Sequence, residues 1–321
     1  MTDKLKFPEF DDIKVSTKTF VVKTNLFLNL KKLFEYLPIT EYTVIPKKRG
    51  RKKKIGNLEN SITVDSGSIV TMKYENKIRG IELKQKKSQN SKKKKSKWFR
   101  NSFTIVMIID NKPINFKICQ NGVFQITGCK FDEHAEKCIK YIWLYIKHLQ
   151  NIIYSFSEGE NFEALFVPAM RNIDFSVGFV VDREKLSRYM SVQTEFHSLL
   201  ETSFGYTGVN IKIPIDYDIS KMEIKKILYT NNKFDKEEKI TDINKDWKDI
   251  DTYYQEYLDK LTEKEKSKKL NKERYNTFLI FHSGKTIMSS INAAFARDSY
   301  YYFIKIIKTA YDLIEERLDV K

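Results

Sequence analysis

Proline and glycine are scarce, 6 and 11 among 321 residues. This excludes collagen-like and low-complexity architectures, which need those residues in bulk. No apolar run approaches the ~18 residues of a membrane-spanning helix, and the opening MTDKLKFPEFDD is too polar for a secretion signal. The 3 cysteines are too few, and odd in number, for a disulfide framework, so the chain reads as an intracellular, soluble protein of a reducing compartment. His134, His148, His197 and His282 show no metal-ligand spacing, and Cys129 with Cys138 lacks a second ligand pair. Walker, G-x-S-x-G and H-E-x-x-H motifs are missing. These absences point away from an enzyme and imply no metal and no cofactor. What the chain does have is 41% hydrophobic and 13% aromatic residues, enough for a substantial core.

Its charge is +16, and most of it sits in one place. Residues 47–97 hold 18 Lys and Arg against 4 Asp and Glu, a net +14. The sources are two blocks: Lys47, Lys48, Arg49, Arg51, Lys52, Lys53 and Lys54, then the run that includes Lys92, Lys93, Lys94 and Lys95. Such clusters bind phosphates or form solvated loops, so residues 47–98 read as a basic insertion. A second anomalous segment, residues 216–274, carries 15 acidic and 15 basic residues. Its apolar residues Ile243, Trp247, Ile250, Tyr254, Tyr257, Leu258 and Leu261 recur at spacings of three and four, predicting an amphipathic helix.

Between these segments the sequence repeats itself. At one fixed offset, Phe116 meets Phe278, Ile118 meets Ile280, Gly122 meets Gly284, Ile126 meets Met288, Thr127 meets Ser289 and Ile142 meets Ile304. Each copy reads as an alternating strand, a tight turn at Asn121-Gly122 or Ser283-Gly284, a second strand and a long helix. The helices are predicted from near Asp132 to about Ser155 and from near Asn292 to about Leu318. Upstream, each half begins with a strand (Val15–Lys23, Ile173–Val181) and a shorter helix (Asn29–Leu37, Arg183–Met190). The expected fold class is therefore α+β, with two β-α-β4-α repeats at residues 1–156 and 157–321.

This pattern resembles the TATA-box-binding proteins. The residues that carry the likeness are Phe281-His282-Ser283-Gly284-Lys285, Cys119 to Val123 leading to Ile126-Thr127-Gly128-Cys129-Lys130, Arg171-Asn172-Ile173, Glu41-Tyr42, and the strand Phe103 to Pro113. It covers most of residues 13–215 and 275–318. The resemblance implies a pseudo-twofold saddle, a ten-stranded curved antiparallel sheet with helices on its convex side, that binds duplex DNA in the minor groove and wedges aromatic side chains between base steps. The matching wedge positions are Phe103, Cys119, Tyr206 and Phe281, so one ring is replaced by a thiol. The groove-reading asparagine positions fall at Asn172 and Thr17, and the hydroxyl positions at Thr127 and Ser289. Asp174, Gln125 and Lys117 stand where the family has apolar groove-contacting residues.

The family also docks transcription factor IIB on its second stirrup loop. Here that loop reads Glu201-Thr202-Ser203-Phe204-Gly205, which suits a dedicated polymerase-recruiting partner better than a standard factor IIB. The divergence and the insertions are of the kind carried by large DNA viruses, which implies a host nucleus, a viral factory or a virion. Two readings stay open: a transcription initiation factor that binds and bends promoter DNA, and a saddle-shaped protein-interaction module with only lysine-driven DNA affinity.

Overall fold

The computed structural model describes residues 6–41, 64–81, 101–194, 196–201, 208–230 and 243–317. In chain order the elements begin β1 (Val15–Thr24), β2 (Leu26–Leu28), α1 (Leu30–Tyr36), β3 (Ile69–Tyr74), β4 (Lys77–Gly80), β5 (Ser102–Ile109), β6 (Lys112–Cys119), β7 (Val123–Cys129), α2 (Asp132–Ile146) and β8 (Tyr154–Phe156). They continue with β9 (Glu163–Ser176), α3 (Arg183–Gln193), β10 (His197–Glu201), β11 (Gly208–Pro214), β12 (Glu223–Tyr229), β13 (Trp247–Tyr253), α4 (Tyr254–Asp259), α5 (Glu263–Leu270), β14 (Tyr275–Phe281), β15 (Lys285–Ser290) and α6 (Ala293–Ile314). The fold is α+β, with antiparallel hairpins dominating.

The chain forms two compact units. An upstream unit holds residues 20–166 and 225–251, and a downstream unit holds residues 1–19, 167–224 and 252–321. The expected division at residues 1–156 and 157–321 differs from this at both seams. The segment Met1–Thr19 joins the downstream unit, where Arg297 on α6 donates twice to Asp11 at 2.7 and 2.6 Å and Tyr300 donates to Pro8 O. Residues 225–251 join the upstream unit, where β12 pairs with β9 and Lys225 bridges Glu136 on α2 at 2.7 Å and Asp249 on β13 at 2.8 Å.

The strand order in the upstream unit is β4-β3-β5-β6-β7-β1, and in the downstream unit β10-β11-β14-β15-β9. Leaving β4 aside, the two orders correspond strand for strand. The helices correspond too: α1 and α2 lie on β3, β5 and β7, while α3 and α6 lie on β10, β11, β14 and β15. Even the caps match. The Asn29 side chain accepts from the Lys32 N–H at the start of α1, and that of Asp182 from the Lys185 N–H at the start of α3. Both cores are aromatic, with Trp143 stacked on Phe162 at 4.5 Å upstream and Phe278 on Phe303 at 4.2 Å downstream.

Several sequence expectations are corrected. Residues 47–98 are not one insertion, because β3 pairs with β5 as an integral strand and β4 closes a hairpin on it. Among the described residues thirteen strands, not the ten expected, join the main ladders, β4, β12 and β13 among them, and β2 pairs with β8 separately. The amphipathic helix expected across Ile243–Leu261 is a strand followed by a short helix. After Asp246, in the left-handed region at φ 69°, β13 pairs with β12, so pairing partners override the helical spacing. Its Trp247 packs on Phe162 and Tyr229, while Tyr254 and Tyr257 are buried, so the stripe serves packing. Helix α2 stops at Ile146 rather than near Ser155, because a turn through Asn151 (φ 62°) returns the chain to pair β8 with β2. Helix α6 ends where Glu315 bridges Val181.

The hairpin glycines do equivalent work in the two units. Gly122 O accepts from Thr24 N–H and Gly284 O from Val177 N–H, while Gln120 O and His282 O accept from Leu28 and Val181. Both glycines have positive φ, 71° and 76°, and a Cβ on either would fall on a backbone carbonyl, that of Leu26 or of Phe179. Gly122→Ala and Gly284→Ala are each expected to cost about 2–4 kcal/mol in urea unfolding, from left-handed strain plus the carbonyl clash. A cost below about 0.5 kcal/mol at either position contradicts this packing.

Candidate nucleic-acid interface

Alternation in each strand fixes two faces. In the downstream unit Asn276, Phe278, Ile280, Thr286, Met288, Ile173, Phe175, Val209, Ile211 and Ile213 are buried on the helix side. The residues between them turn to the opposite, open face. Ladder register sets these in ranks. One rank runs Asn172, Ser289, Thr277, Lys212, His197, and the next runs Asp174, Ile287, Leu279, Asn210, Leu199. Beyond them Lys285 faces Ser176, and Phe281 faces Gly208, where a Cβ would press at 2.7 Å on Leu279 Cδ1. The Lys212 ammonium lies 5.9 Å from the Tyr275 ring, a cation–π contact on this same face. Asn172 Oδ1 and Asn210 Oδ1 are buried and find no donor among the described residues.

In the upstream unit Phe20, Val22, Phe103, Ile105, Met107, Ile114, Phe116, Ile118, Phe124 and Ile126 face the helices. The open-face ranks are Gln125, Lys117, Thr104, Lys73, and Thr127, Asn115, Val106, Thr71, followed by Cys119 beside Ser102. Thr127 Oγ1 donates to Asn115 O at 3.0 Å, which fixes its rotamer. Burial pushes the Cys119 thiol up, so it stays protonated and apolar at neutral pH. Towards the sheet edge Val70, Val106 and Ile108 bury with Val64 on this face. No carboxylate occupies these ranks, while Lys73 and Lys117 do.

The structure separates the residues proposed from sequence. Asn172, Ser289 and Phe281 share the downstream open face, and Thr127 and Cys119 share the upstream one. Thr17 is half-buried on β1 and belongs to the downstream unit, not the upstream half assigned to it from sequence. Phe103 is corrected: it is 1% exposed and packs edge-on to Phe34 at 6.4 Å and Tyr74 at 6.3 Å, so it is a core residue. Strand β5 is apolar on both faces along Val106 to Ile109, which hides the phase of alternation from sequence inspection. Tyr206, Lys47, Lys48, Arg49, Arg51, Lys52, Lys53, Lys54, Lys92, Lys93, Lys94 and Lys95 lie outside the described residues. Residues missed from sequence are Asn115, Thr277, Leu279, Ile287, Asn210 and Leu199. The repeat could have exposed the first four, since its fixed offset relates Asn115 to Thr277, Lys117 to Leu279 and Gln125 to Ile287.

No protein-family model matches the chain. Uncharacterized protein 335L of Invertebrate iridescent virus 6 is 27% identical over 228 residues, which is 69% of this chain and 64% of that protein. The chain thus spans less than two thirds of the length of this viral relative. Among solved structures, Methanococcus jannaschii TBP aligns at 13% identity with a TM-score of 0.44, over 94% of this chain and 99% of that one. No helix among the described residues is long and apolar enough to cross a membrane, and no group of three His, Cys, Asp or Glu among them is placed to hold a metal.

The division of labour is testable. Phe103→Ala should cost about 3–5 kcal/mol of stability through cavity formation, measured by urea unfolding. Phe281→Ala, at a half-buried open-face position, should cost about 1 kcal/mol. Equal costs would mean that the two rings share an environment, against the assigned faces.

Proposed function

We propose that the protein binds duplex DNA in the manner of a TATA-box-binding protein, each unit presenting its open sheet face to the minor groove, and recruits a transcription partner. The observation that carries this reading is the pairing of equivalent ranks. Asn115 beside Thr127 in one unit and Thr277 beside Ser289 in the other put hydroxyl and amide groups at matched ladder positions, flanked by Lys117 and Lys212. A minor groove presents acceptors on its floor and phosphates on its walls, so the amide and hydroxyl donors of Asn115, Thr277 and Ser289, with lysines beside them, complement it, while Thr127, whose hydroxyl hydrogen is already given to Asn115 O, offers only an acceptor. The sequence-level resemblance and the +14 segment at residues 47–97 support the same reading. The partner is expected to be a dedicated one.

The alternative, a protein-interaction module, draws on one observation. Phe103 faces the core and Cys119 supplies no ring, so the upstream face lacks the apolar area that unstacking a base step demands. Binding without strong bending at that half would satisfy both facts.

Salt dependence distinguishes specific use of the lysines from incidental charge. Each lysine that neutralises a phosphate adds about 0.9 to the magnitude of the log–log salt slope. Lys117→Gln and Lys212→Gln should each lower that slope by about 1, and replacing Lys92, Lys93, Lys94 and Lys95 with Gln should lower it by up to about 4. Neutralisation is the right perturbation, because deleting residues 47–97 would also remove β3 and β4. A slope unchanged in all three variants would mean that these lysines serve another partner.

A further inference from the structure

Around β9 the downstream open face carries acceptors without donors. Asp174 is exposed between two buried core residues, Ile173 and Phe175, and faces Ile287 across the ladder. Neither a hydrogen bond nor an ion pair reaches its carboxylate among the described residues. Two positions away Asn172 Oδ1 has no donor, and Asn210 Oδ1, in the same rank as Asp174, has none either. On the β15 side the remaining members of that rank, Ile287, Leu279 and Leu199, are apolar and can supply none. The side chain directly opposite is apolar, those two residues away on β9 are Asn172 and Ser176, and the exposed carboxylate is hydrated, so it adds little to folding and is free to accept from a donor that a ligand brings.

The minor groove of an A·T pair offers only the acceptors A N3 and T O2, whereas a G·C pair adds the guanine N2 amino group, a donor. Against A·T the Asp174 carboxylate meets acceptors alone. Against G·C it accepts a hydrogen bond. Lys212 and Lys285 on the same face offset the repulsion between this carboxylate and nearby phosphates. Resting on the duplex-DNA reading above, we infer that Asp174 is a specificity-determining residue: the downstream half selects a site with a guanine N2 amino group beneath β9, not an uninterrupted A·T tract.

Inosine lacks that amino group and otherwise presents the same groove floor as guanine, while diaminopurine adds the group to adenine. The experiment takes the duplex that the full chain selects from a random pool and resynthesises it with inosine for guanine, and separately with diaminopurine for adenine. Affinities are then measured for the parent, Asp174→Asn and Asp174→Val, with circular dichroism as the folding control. Valine suits an exposed strand position, so the variant should fold. The parent should select a guanine-containing duplex and lose about fivefold or more in affinity with inosine. Asp174→Val should bring the guanine-to-inosine ratio close to one, and Asp174→Asn, which keeps one acceptor oxygen, should retain part of it. Adding diaminopurine should strengthen binding of the parent and not of Asp174→Val.

Three results overturn the inference: selection of an uninterrupted A·T duplex, a parent ratio near one, or a ratio unchanged by Asp174→Val. If Asp174→Val raises affinity for every duplex equally, the carboxylate acts only through its charge, which also overturns it. Failure of the folded parent to bind any duplex would instead overturn the DNA reading itself and leave this face to a protein partner.

Discussion

In each unit a strand that enters the sheet closes on the glycine of a distant hairpin, Thr24 N–H on Gly122 O and Val177 N–H on Gly284 O. The two partners lie far apart in sequence, so the contact carries a large loop-closure cost that the ladders must offset. It also demands a residue with no Cβ, because the approaching backbone occupies the space where a Cβ would stand. Once made, the contact sets β1 beside β7 and β9 beside β15, and with that the phase of every alternating strand. The helices then cover one face, and the other is left for function.

That phase decides which chemistry is available to a partner. Upstream it puts Lys73, Lys117, Gln125, Asn115 and Thr127 outward and turns Phe103 into the core. Downstream it puts Leu279, Ile287 and Phe281 outward beside Asn172 and Ser289. The two faces are equivalent in topology and unequal in chemistry: each carries two lysines and two side-chain amides, and the downstream one adds the Asp174 carboxylate and the outward Leu199, Leu279, Ile287 and Phe281.

Much of this was legible in the sequence, and the failures have physical causes. The duplicated N-G and S-G turns, the strand before each, and the shorter helices beginning near Asn29 and Arg183 follow from local rules that tertiary packing did not override. The phase of β5 was not legible, because it buries residues on both faces. Nor was the strand β13, since its apolar spacing fits a helix and only the exposed edge of β12 selects the extended form. The placement of Met1–Thr19 and of residues 225–251 rests on long-range packing and pairing, Phe10 and Ile13 in the downstream core, Ile227 and Tyr229 in the upstream core and β12 on β9, that no local pattern announces.

If each unit meets a duplex with the face turned away from its helices, binding shields the lysines of that face. Lysine reactivity, read by mass spectrometry with and without a bound duplex, should then fall at Lys73, Lys117, Lys212 and Lys285 and stay unchanged at Lys137 on α2 and at Lys305 and Lys308 on α6. Protection of the helix lysines, with the four open-face lysines unchanged, would contradict this mode of binding.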